Sequence, residues 1–279
     1  MMPRAAAAMA AVLVVHAMRT AAHAASVGVP VPDLRSISGE VKIDPGRELD
    51  LELDLTFRAP DQDTLETALF TLNPGQEVVT AMDASGNSLD FSNENGLLEF
   101  FLPHPLEPGE EARIRLLIRG VPDTGFGYLE SAIDMDTMKT SEASNLGLLG
   151  YERAFFHPRF VALMPGIRWL PASGPETDRD DPRNRAVDYF NVDLFVDLPG
   201  DWLVAGPGRR HHVEGENKGA RFRFVPPAQV PEVALIASKF ESRSVEVEGV
   251  LMEMLIHKTG RVRPDQVCEV GLSWRTIEP

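Results

Sequence analysis

The sequence contains a single cysteine, Cys268, among its 279 residues. One thiol excludes an internal disulfide, and it also excludes a zinc site built from cysteine ligands. The stability of the fold must therefore come from the burial of apolar side chains. Because Cys268 lies among apolar neighbours, we interpret it as a buried structural thiol and not as a nucleophile.

Basic residues are scarce relative to acidic ones. The chain carries 27 Lys and Arg against 42 Asp and Glu, which gives a formal net charge of −15. A surface this negative repels phosphate backbones and anionic lipid, so we expect no nucleic-acid partner and no binding to a membrane surface. Membrane association is expected only through the N-terminal segment described below.

The short motifs that mark several enzyme classes are also missing. None of the seven histidines begins a His-Glu-x-x-His zinc motif. The sequence has no Gly-x-Ser-x-Gly nucleophile elbow and no Gly-Lys-Ser/Thr phosphate loop. A glycosidase carboxylate pair stays open, because the acids are numerous and none stands out as a pair. We therefore assign no catalytic, cofactor-binding or metal-binding residue.

The most noticeable histidines have ordinary interpretations. His211 and His212 are adjacent in a segment rich in Gly, Arg and Glu, which predicts a surface loop. Adjacent residues on a strand would point in opposite directions and share a metal poorly. His157 precedes Pro158 among aromatic residues, and we interpret it as a packed histidine and not as a general base.

The N-terminus has the pattern of an export signal. Arg4 precedes an apolar run over 5–18, and Ala22-His23-Ala24 supplies the small residues that precede a cleavage site. The run is shorter than the roughly 20 residues of a membrane-spanning helix. We predict a cleaved signal peptide over residues 1–25 and a periplasmic or extracellular protein. An uncleaved N-terminal membrane anchor is the alternative.

The middle of the chain alternates apolar and polar residues with the period of a β-strand. Apolar residues occupy every second position over 49–57, and the same alternation returns over 190–198. Turn residues such as Asn93-Glu94-Asn95-Gly96 separate these runs. One apolar face on each strand predicts an all-β, antiparallel saddle or β-sandwich-like domain over residues 26–262.

Residues 121–186 interrupt this alternation and predict a long loop with at most a short helix. The stretch over 155–171 is too apolar for a loop that is free in solution. It is either a plug over an open end of the sandwich or a docking surface for another domain. The candidate docking residues are Phe155, Phe156, Phe160, Met164 and Trp169.

The pattern changes again at Pro264. Val267, Val270 and Trp274 are spaced for one face of a helix, and proline suits a first helical turn. We predict that residues 263–279 are a short C-terminal helix that leads into a domain absent from the chain.

The order of these features resembles the N-terminal domain of the M1, or aminopeptidase N-like, zinc metallopeptidases. The resemblance covers roughly residues 35–260. Its matching stretches are Asp50–Phe57, Phe91–Gly120, Arg159–Pro171, Tyr189–Gly206, Val233–Phe240 and Gly249–Glu253. It implies a saddle-shaped β domain that precedes a thermolysin-like catalytic domain, with the chain truncated before that domain.

The residues that carry catalysis in this family are not in the sequence. Neither His-Glu-x-x-His nor Gly-x-Met-Glu-Asn occurs, and Trp169–Pro175 replaces the family's Pro-Cys-x-Asp-Glu-Pro segment. Glu152 is the acid nearest to a substrate-binding position of some members, but it cannot be aligned with that position. The resemblance therefore brings no functional residue to this chain.

The function implied by the resemblance is that of a non-catalytic domain. It would cap or dock on a zinc peptidase domain, with zinc bound only in that missing domain and no peptidase activity in this chain alone. A freestanding exported β-sandwich that binds a peptide, a glycan or a partner protein is the alternative. An unrecognised glycosidase is a third possibility.

Overall fold

The computed structural model of the protein describes residues 30–123, 126, 156–175, 188–214, 219–247 and 250–257. The predicted signal peptide and the predicted C-terminal helix both lie outside these residues. The described residues form β-strands and one short 3₁₀ helix, so the predicted all-β class is confirmed. None of the helices in this part of the chain is long and apolar enough to cross a membrane.

The strands are distributed over three sheets and a separate hairpin. Their bounds are β1 Asp33–Asp44, β2 Glu48–Arg58, β3 Leu65–Thr71, β4 Gln76–Asp83, β5 Phe91–Glu94, β6 Leu97–Leu106, β7 Glu111–Gly120, β8 Phe156–His157, β9 Phe160–Leu163, β10 Ala172–Ser173, β11 Asn191–Leu198, β12 Leu203–Ala205, β13 Arg210–Val213, β14 Ala220–Phe224, β15 Leu235–Ser238, β16 Phe240–Val247 and β17 Val250–His257.

The largest sheet has seven strands in the order β13-β14-β11-β1-β2-β7-β4. Strand β2 of this sheet is the strand that the sequence predicts most clearly. Leu51, Leu53 and Leu55 on one face of β2 are fully buried, whereas Glu52 on the other face is exposed. The two-residue period of a strand therefore separates a dry inner face from a wet outer face, as predicted.

The central strand β1 does not alternate regularly between buried and exposed residues. Its pairing also departs from the predicted antiparallel sheet, because one of its two neighbours runs parallel to it. It pairs antiparallel with β2 and parallel with β11, and a register shift between Leu34 and Ser36 breaks its apolar period. A side chain at Gly39 would put its Cβ 2.0 Å from the Glu52 carbonyl oxygen, at a φ of +144°. Glycine there lets β1 and β2 approach closely.

Two four-stranded sheets, β10-β3-β6-β5 and β12-β15-β9-β8, complete the domain. The β5–β6 turn is closed by Asn95 and Gly96, whose φ angles are 54° and 85°. Positive φ at both central residues is the geometry of a type I′ hairpin turn, for which Asn-Gly is the preferred pair. The turn predicted at this position is confirmed.

Buried residues from all three sheets form one continuous apolar core between Leu34 and Ala237. Phe70 is fully buried in this core, with ring centroids 5.6 Å from Phe57 and 5.9 Å from Phe100 in edge-to-face contacts. The Phe57–Phe70 contact joins the seven-stranded sheet to the β3–β6 sheet, and the Phe70–Phe100 contact lies within the latter. The β16–β17 hairpin contributes no buried residue to this core among its described side chains.

The outer face of the seven-stranded sheet carries ion pairs between neighbouring strands. Arg223 on β14 makes a two-pronged contact with Asp193 on β11, with nitrogen–oxygen distances of 2.8 and 2.6 Å. Arg221 pairs with Asp197 at 2.9 Å and with Glu40 on β1 at 2.5 Å. Opposite charges facing each other across strands favour this strand order.

Candidate interaction surface

The segment predicted as a long loop contains regular structure where it is described. β8 and β9 pair with each other, β9 also pairs with β15, and β10 pairs with β3. A 3₁₀ helix over Pro165–Ile167 separates β9 from β10. The sequence did not predict these strands, because each is only two to four residues long and shows too little alternation to recognise.

A buried asparagine in the connection between β3 and β4 holds this segment in place. Asn73 is fully buried, and its Nδ2 donates to the carbonyl oxygen of Ile167 at 2.7 Å and to that of Asp123 at 3.0 Å. Its Oδ1 accepts from the backbone N–H of Gly75 and of Asp123. One amide thus joins three separate pieces of chain, which explains why a polar group is tolerated in the core.

Trp169 also holds the 156–175 segment in place, because its side chain is buried in the core. Its side chain is 1% exposed, and its Nε1 donates to the carbonyl oxygen of Val233 at 3.1 Å. Its own carbonyl oxygen accepts from Nε2 of Gln76 at 3.1 Å. Arg168 before it is buried in the left-handed conformation, with φ at 54°. The indole therefore anchors the segment from inside the core.

The other predicted docking residues have different surroundings. Phe156, Phe160 and Met164 are half-buried, so each keeps part of its apolar surface exposed. Phe155 lies outside the described residues. The exposed part of the candidate surface is thus formed by these three side chains, and the docking role itself stays a prediction.

The candidate surface lies beside the start of the terminal hairpin. Phe160 on β9 pairs with Ser238 on β15, whose hydroxyl donates to the carbonyl oxygen of Arg159 at 2.6 Å. Strand β16 begins at Phe240, two residues further along the chain. The half-buried β8–β9 side chains and the hairpin therefore occupy neighbouring parts of the molecule.

His157 has a structural environment within this segment. Its ring stacks on Phe160 with centroids 5.4 Å apart, and its Nδ1 accepts from the backbone N–H of Arg159 at 3.1 Å. In the neutral ring the proton then lies on Nε2. This is the packed, hydrogen-bonded histidine that the sequence predicted.

The adjacent histidines are placed differently from the prediction. His211 and His212 lie on the edge strand β13 and not in a loop, because this short strand pairs with β14. His212 makes an edge-to-face contact with Phe222 at 5.5 Å. Within the described ranges no group of three or more His, Cys, Asp or Glu side chains is arranged to hold a metal ion.

A shallow groove on the outer face of the large sheet brings two carboxylates together. It has a volume of about 260 Å³, and Asp54 and Asp83 both line it. Burial raises the pKa of Asp54, but hydrogen bonds from Arg113 and Arg115 outweigh this and lower the pKa overall. The hydrogen bond from Asn87 lowers the pKa of Asp83. Both carboxyls are thus held ionised, whereas glycoside hydrolysis needs one protonated acid.

The geometry therefore defines an all-β scaffold on which Phe156, Phe160 and Met164 of the candidate surface are half-buried. The sequence matches no protein-family model and no curated protein. Solved structures, in contrast, match with high probability, and the leading matches are M1 zinc metallopeptidases.

One match is the M1 zinc metallopeptidase from Deinococcus radiodurans, 21% identical with a TM-score of 0.56, over 78% of this chain and 44% of that chain. A mutant M1 zinc metallopeptidase from the same organism, bound to a Tyr-Ser-Ala substrate, is 17% identical with a TM-score of 0.56. That match covers 86% of this chain and 52% of the other. A two-domain M1 mutant bound to L-tryptophan is 19% identical, with a TM-score of 0.56 and coverages of 81% and 47%.

At this level of identity the comparisons establish a shared fold. The predicted resemblance to the M1 zinc metallopeptidases is confirmed at that level. The chain spans about half the length of the peptidases that it matches.

Proposed function

We propose that this chain is the non-catalytic β domain of an exported M1-type metallopeptidase. In this proposal the chain packs on a zinc peptidase domain that follows in the same polypeptide. The β domain then forms one side of the substrate cleft. The observation that carries the proposal is the coverage of the structural matches, 78–86% of this chain but only 44–52% of the peptidases.

Zinc belongs to the other domain in this proposal. The donor set of the described residues does not suit zinc, since His211 and His212 occupy adjacent positions on β13 and point in opposite directions. The 279-residue sequence contains no His-Glu-x-x-His motif. In this proposal the contribution of this chain is structural.

Export is a part of the proposal that depends on the sequence pattern over residues 1–25. A basic start, an apolar run and small residues before the cleavage site support it. N-terminal sequencing of the mature protein checks this directly. A mature chain that begins near Ala25 is expected, and one that begins at Met1 or Met2 contradicts cleavage.

The experiment that tests the main proposal compares two polypeptides. One is the 279-residue chain, and the other is the longer product read from the same frame beyond Pro279. We expect the short chain to bind no stoichiometric zinc and to cleave no peptide, and the longer product to bind zinc and to show chelator-sensitive cleavage. One tight zinc per short chain, or chelator-sensitive cleavage by it, contradicts the proposal.

A stop codon directly after Pro279, followed by an unrelated gene, also contradicts the proposal. That result favours the alternative, an exported module that binds a peptide, a glycan or a partner protein. Screening the short chain against peptide and glycan arrays then identifies the class of ligand.

A further inference from the structure

The terminal hairpin has an apolar face that no described residue covers. Val245 pairs directly with Met252 across the two strands, and Val247 and Met254 occupy the same face two residues further on in each strand. This apolar hairpin face consists of Val245, Val247, Met252 and Met254, which are 54%, 45%, 45% and 37% exposed. Val245 and Met252, which oppose each other directly, are about 5 Å apart. Met254 instead pairs with Arg243, so the apolar patch is bordered by one arginine on the same face.

The opposite face of the hairpin is fixed to the β domain by polar contacts. Glu253 accepts from Nη2 of Arg210 on β13 at 2.5 Å and from the hydroxyl of Ser242 at 2.5 Å. Arg210 also donates to the carbonyl oxygen of Val204. Because Glu253 lies on the side opposite Met252 and Met254, these contacts turn the apolar hairpin face away from the domain.

The hairpin needs a further partner for its own stability. Its two strands pair with each other and with no other described strand, and an isolated two-stranded hairpin is marginally stable in water. Both outer strand edges also expose backbone groups that can pair with another sheet. Methionine adapts readily to the shape of a partner.

A partner that continues from the same chain suits this surface better than a second copy. The two strand ends Phe240 and His257 pair with each other, so the chain that follows His257 leaves from the base of the hairpin. The peptidases with the same fold are about twice as long as the part matched here. A second copy would bring together two chains of net charge −15, which repel each other.

We propose that the apolar hairpin face is the surface on which the following peptidase domain of the same polypeptide packs. The inference rests on the proposed function and deepens it, since it places the main contact on β16–β17. The half-buried side chains of β8 and β9 lie near the base of the hairpin, where Phe160 pairs with Ser238. The hairpin is then shared between two domains, so the β domain proper ends near Ser238 and not at residue 262.

Amide hydrogen exchange in the two polypeptides tests this inference. We expect the hairpin amides to exchange at least about tenfold more slowly in the longer polypeptide than in the 279-residue chain, because docking removes local opening. The double variant Val245→Glu/Met252→Glu in the longer polypeptide should return exchange to within about threefold of the short chain.

Two further variants keep the test interpretable. Val245→Thr/Met252→Gln retains strand-forming side chains while it removes apolar surface, and it should show the same loss of protection. Val79→Glu/Phe101→Glu makes the same charge change at side chains that are 43% and 44% exposed outside the hairpin. This control should leave the protection of the hairpin unchanged.

The outcomes separate the inference from the proposed function. A longer polypeptide that binds zinc and cleaves peptides, but leaves hairpin exchange unchanged, overturns the inference alone. Hairpin amides that are already protected in the short chain overturn it too, because another part of the chain or a second copy then covers the face. A longer polypeptide without zinc or activity contradicts the proposed function and the inference together.

Discussion

The seven-stranded sheet and the β16–β17 hairpin differ in the side chains that they expose. On the sheet, buried leucines fill the inner face, and ion pairs such as Arg223–Asp193 and Arg113–Asp54 occupy the outer face. On the hairpin, Val245 and Met252 are exposed, and no described side chain of the hairpin belongs to the buried core. Both regions are β-structure, but among the described residues only the sheet packs against the apolar core.

The contrast extends to the energetics of each region. Removing an inner-face side chain from the sheet leaves a cavity in a close-packed core, whereas an exposed hairpin side chain has few contacts to lose. We therefore expect substitutions in the two regions to have very different effects on the free energy of unfolding.

The largest effect is expected at the centre of the sheet. Leu53 is fully buried on β2, and Leu53→Ala should lower the free energy of unfolding by about 3–5 kcal/mol, from lost burial and the cavity. Urea unfolding followed by tryptophan fluorescence measures the change. A loss below about 1 kcal/mol would mean that the site collapses around the smaller side chain.

A somewhat smaller effect is expected at Asn73. Asn73→Ala leaves the carbonyl of Ile167 and the N–H of Asp123 without their buried partner, so we expect a loss of about 2–4 kcal/mol. The segment over 156–175 should also become more sensitive to proteolysis. Asn87→Ala, the same chemical change in an exposed loop, is the control, and equal losses in the two variants would contradict the role of Asn73.

The ion pairs of the outer face should contribute modestly and depend on pH. The pKa of Asp54 is lower in the folded protein, since burial, which raises it, is outweighed by hydrogen bonds from Arg113 and Arg115. Its stabilisation is then present above the unfolded pKa of about 3.9 and is lost as the pH falls toward the lower folded value. Asp54→Asn should cost about 1 kcal/mol at pH 7.

Urea unfolding of the Asp54→Asn variant and the wild type at pH 7 and near pH 3 checks this prediction. The difference between the two proteins should shrink at the lower pH. Glu52→Gln removes a charge from the same strand at a residue with no ion pair among the described residues, and it serves as the control. A difference that persists unchanged at low pH contradicts the electrostatic explanation.

The smallest effect is expected on the hairpin. Met252 is 45% exposed, and Met252→Gln in the 279-residue chain should change the free energy of unfolding by no more than about 0.5 kcal/mol. Differential scanning calorimetry measures this change. A loss above about 2 kcal/mol would show that the hairpin is packed within this chain, and it would remove the contrast with the sheet.

Much of the large sheet could be predicted from the sequence because its strands are long and half-buried. The apolar residues of β2 and β11 recur at every second position, and that period is the physical signature of one wet and one dry face. The Asn95–Gly96 turn was recognised for a similar reason, since few residues tolerate positive φ at low cost.

The candidate surface was predicted less completely. The apolar character of 155–171 marked the segment, but the composition did not reveal that Trp169 points inward while Phe156 and Phe160 stay partly exposed. Asn73 was missed because a lone asparagine beside Pro74 looks like an ordinary turn residue. Its role depends on partners about 50 and 94 positions away in the sequence.

The sequence by itself determined the all-β class, the inner faces of β2 and β11, the major turns and the absence of a zinc motif. Each depends on neighbouring residues, because strand period and turn geometry act over a few positions. Only the tertiary structure decided that β1 lies between β2 and a parallel β11, that Asn73 holds the 156–175 segment, and that the described residues leave one hairpin face exposed. These features depend on contacts between residues far apart in the sequence, and a local pattern of residues does not show which distant segments will meet.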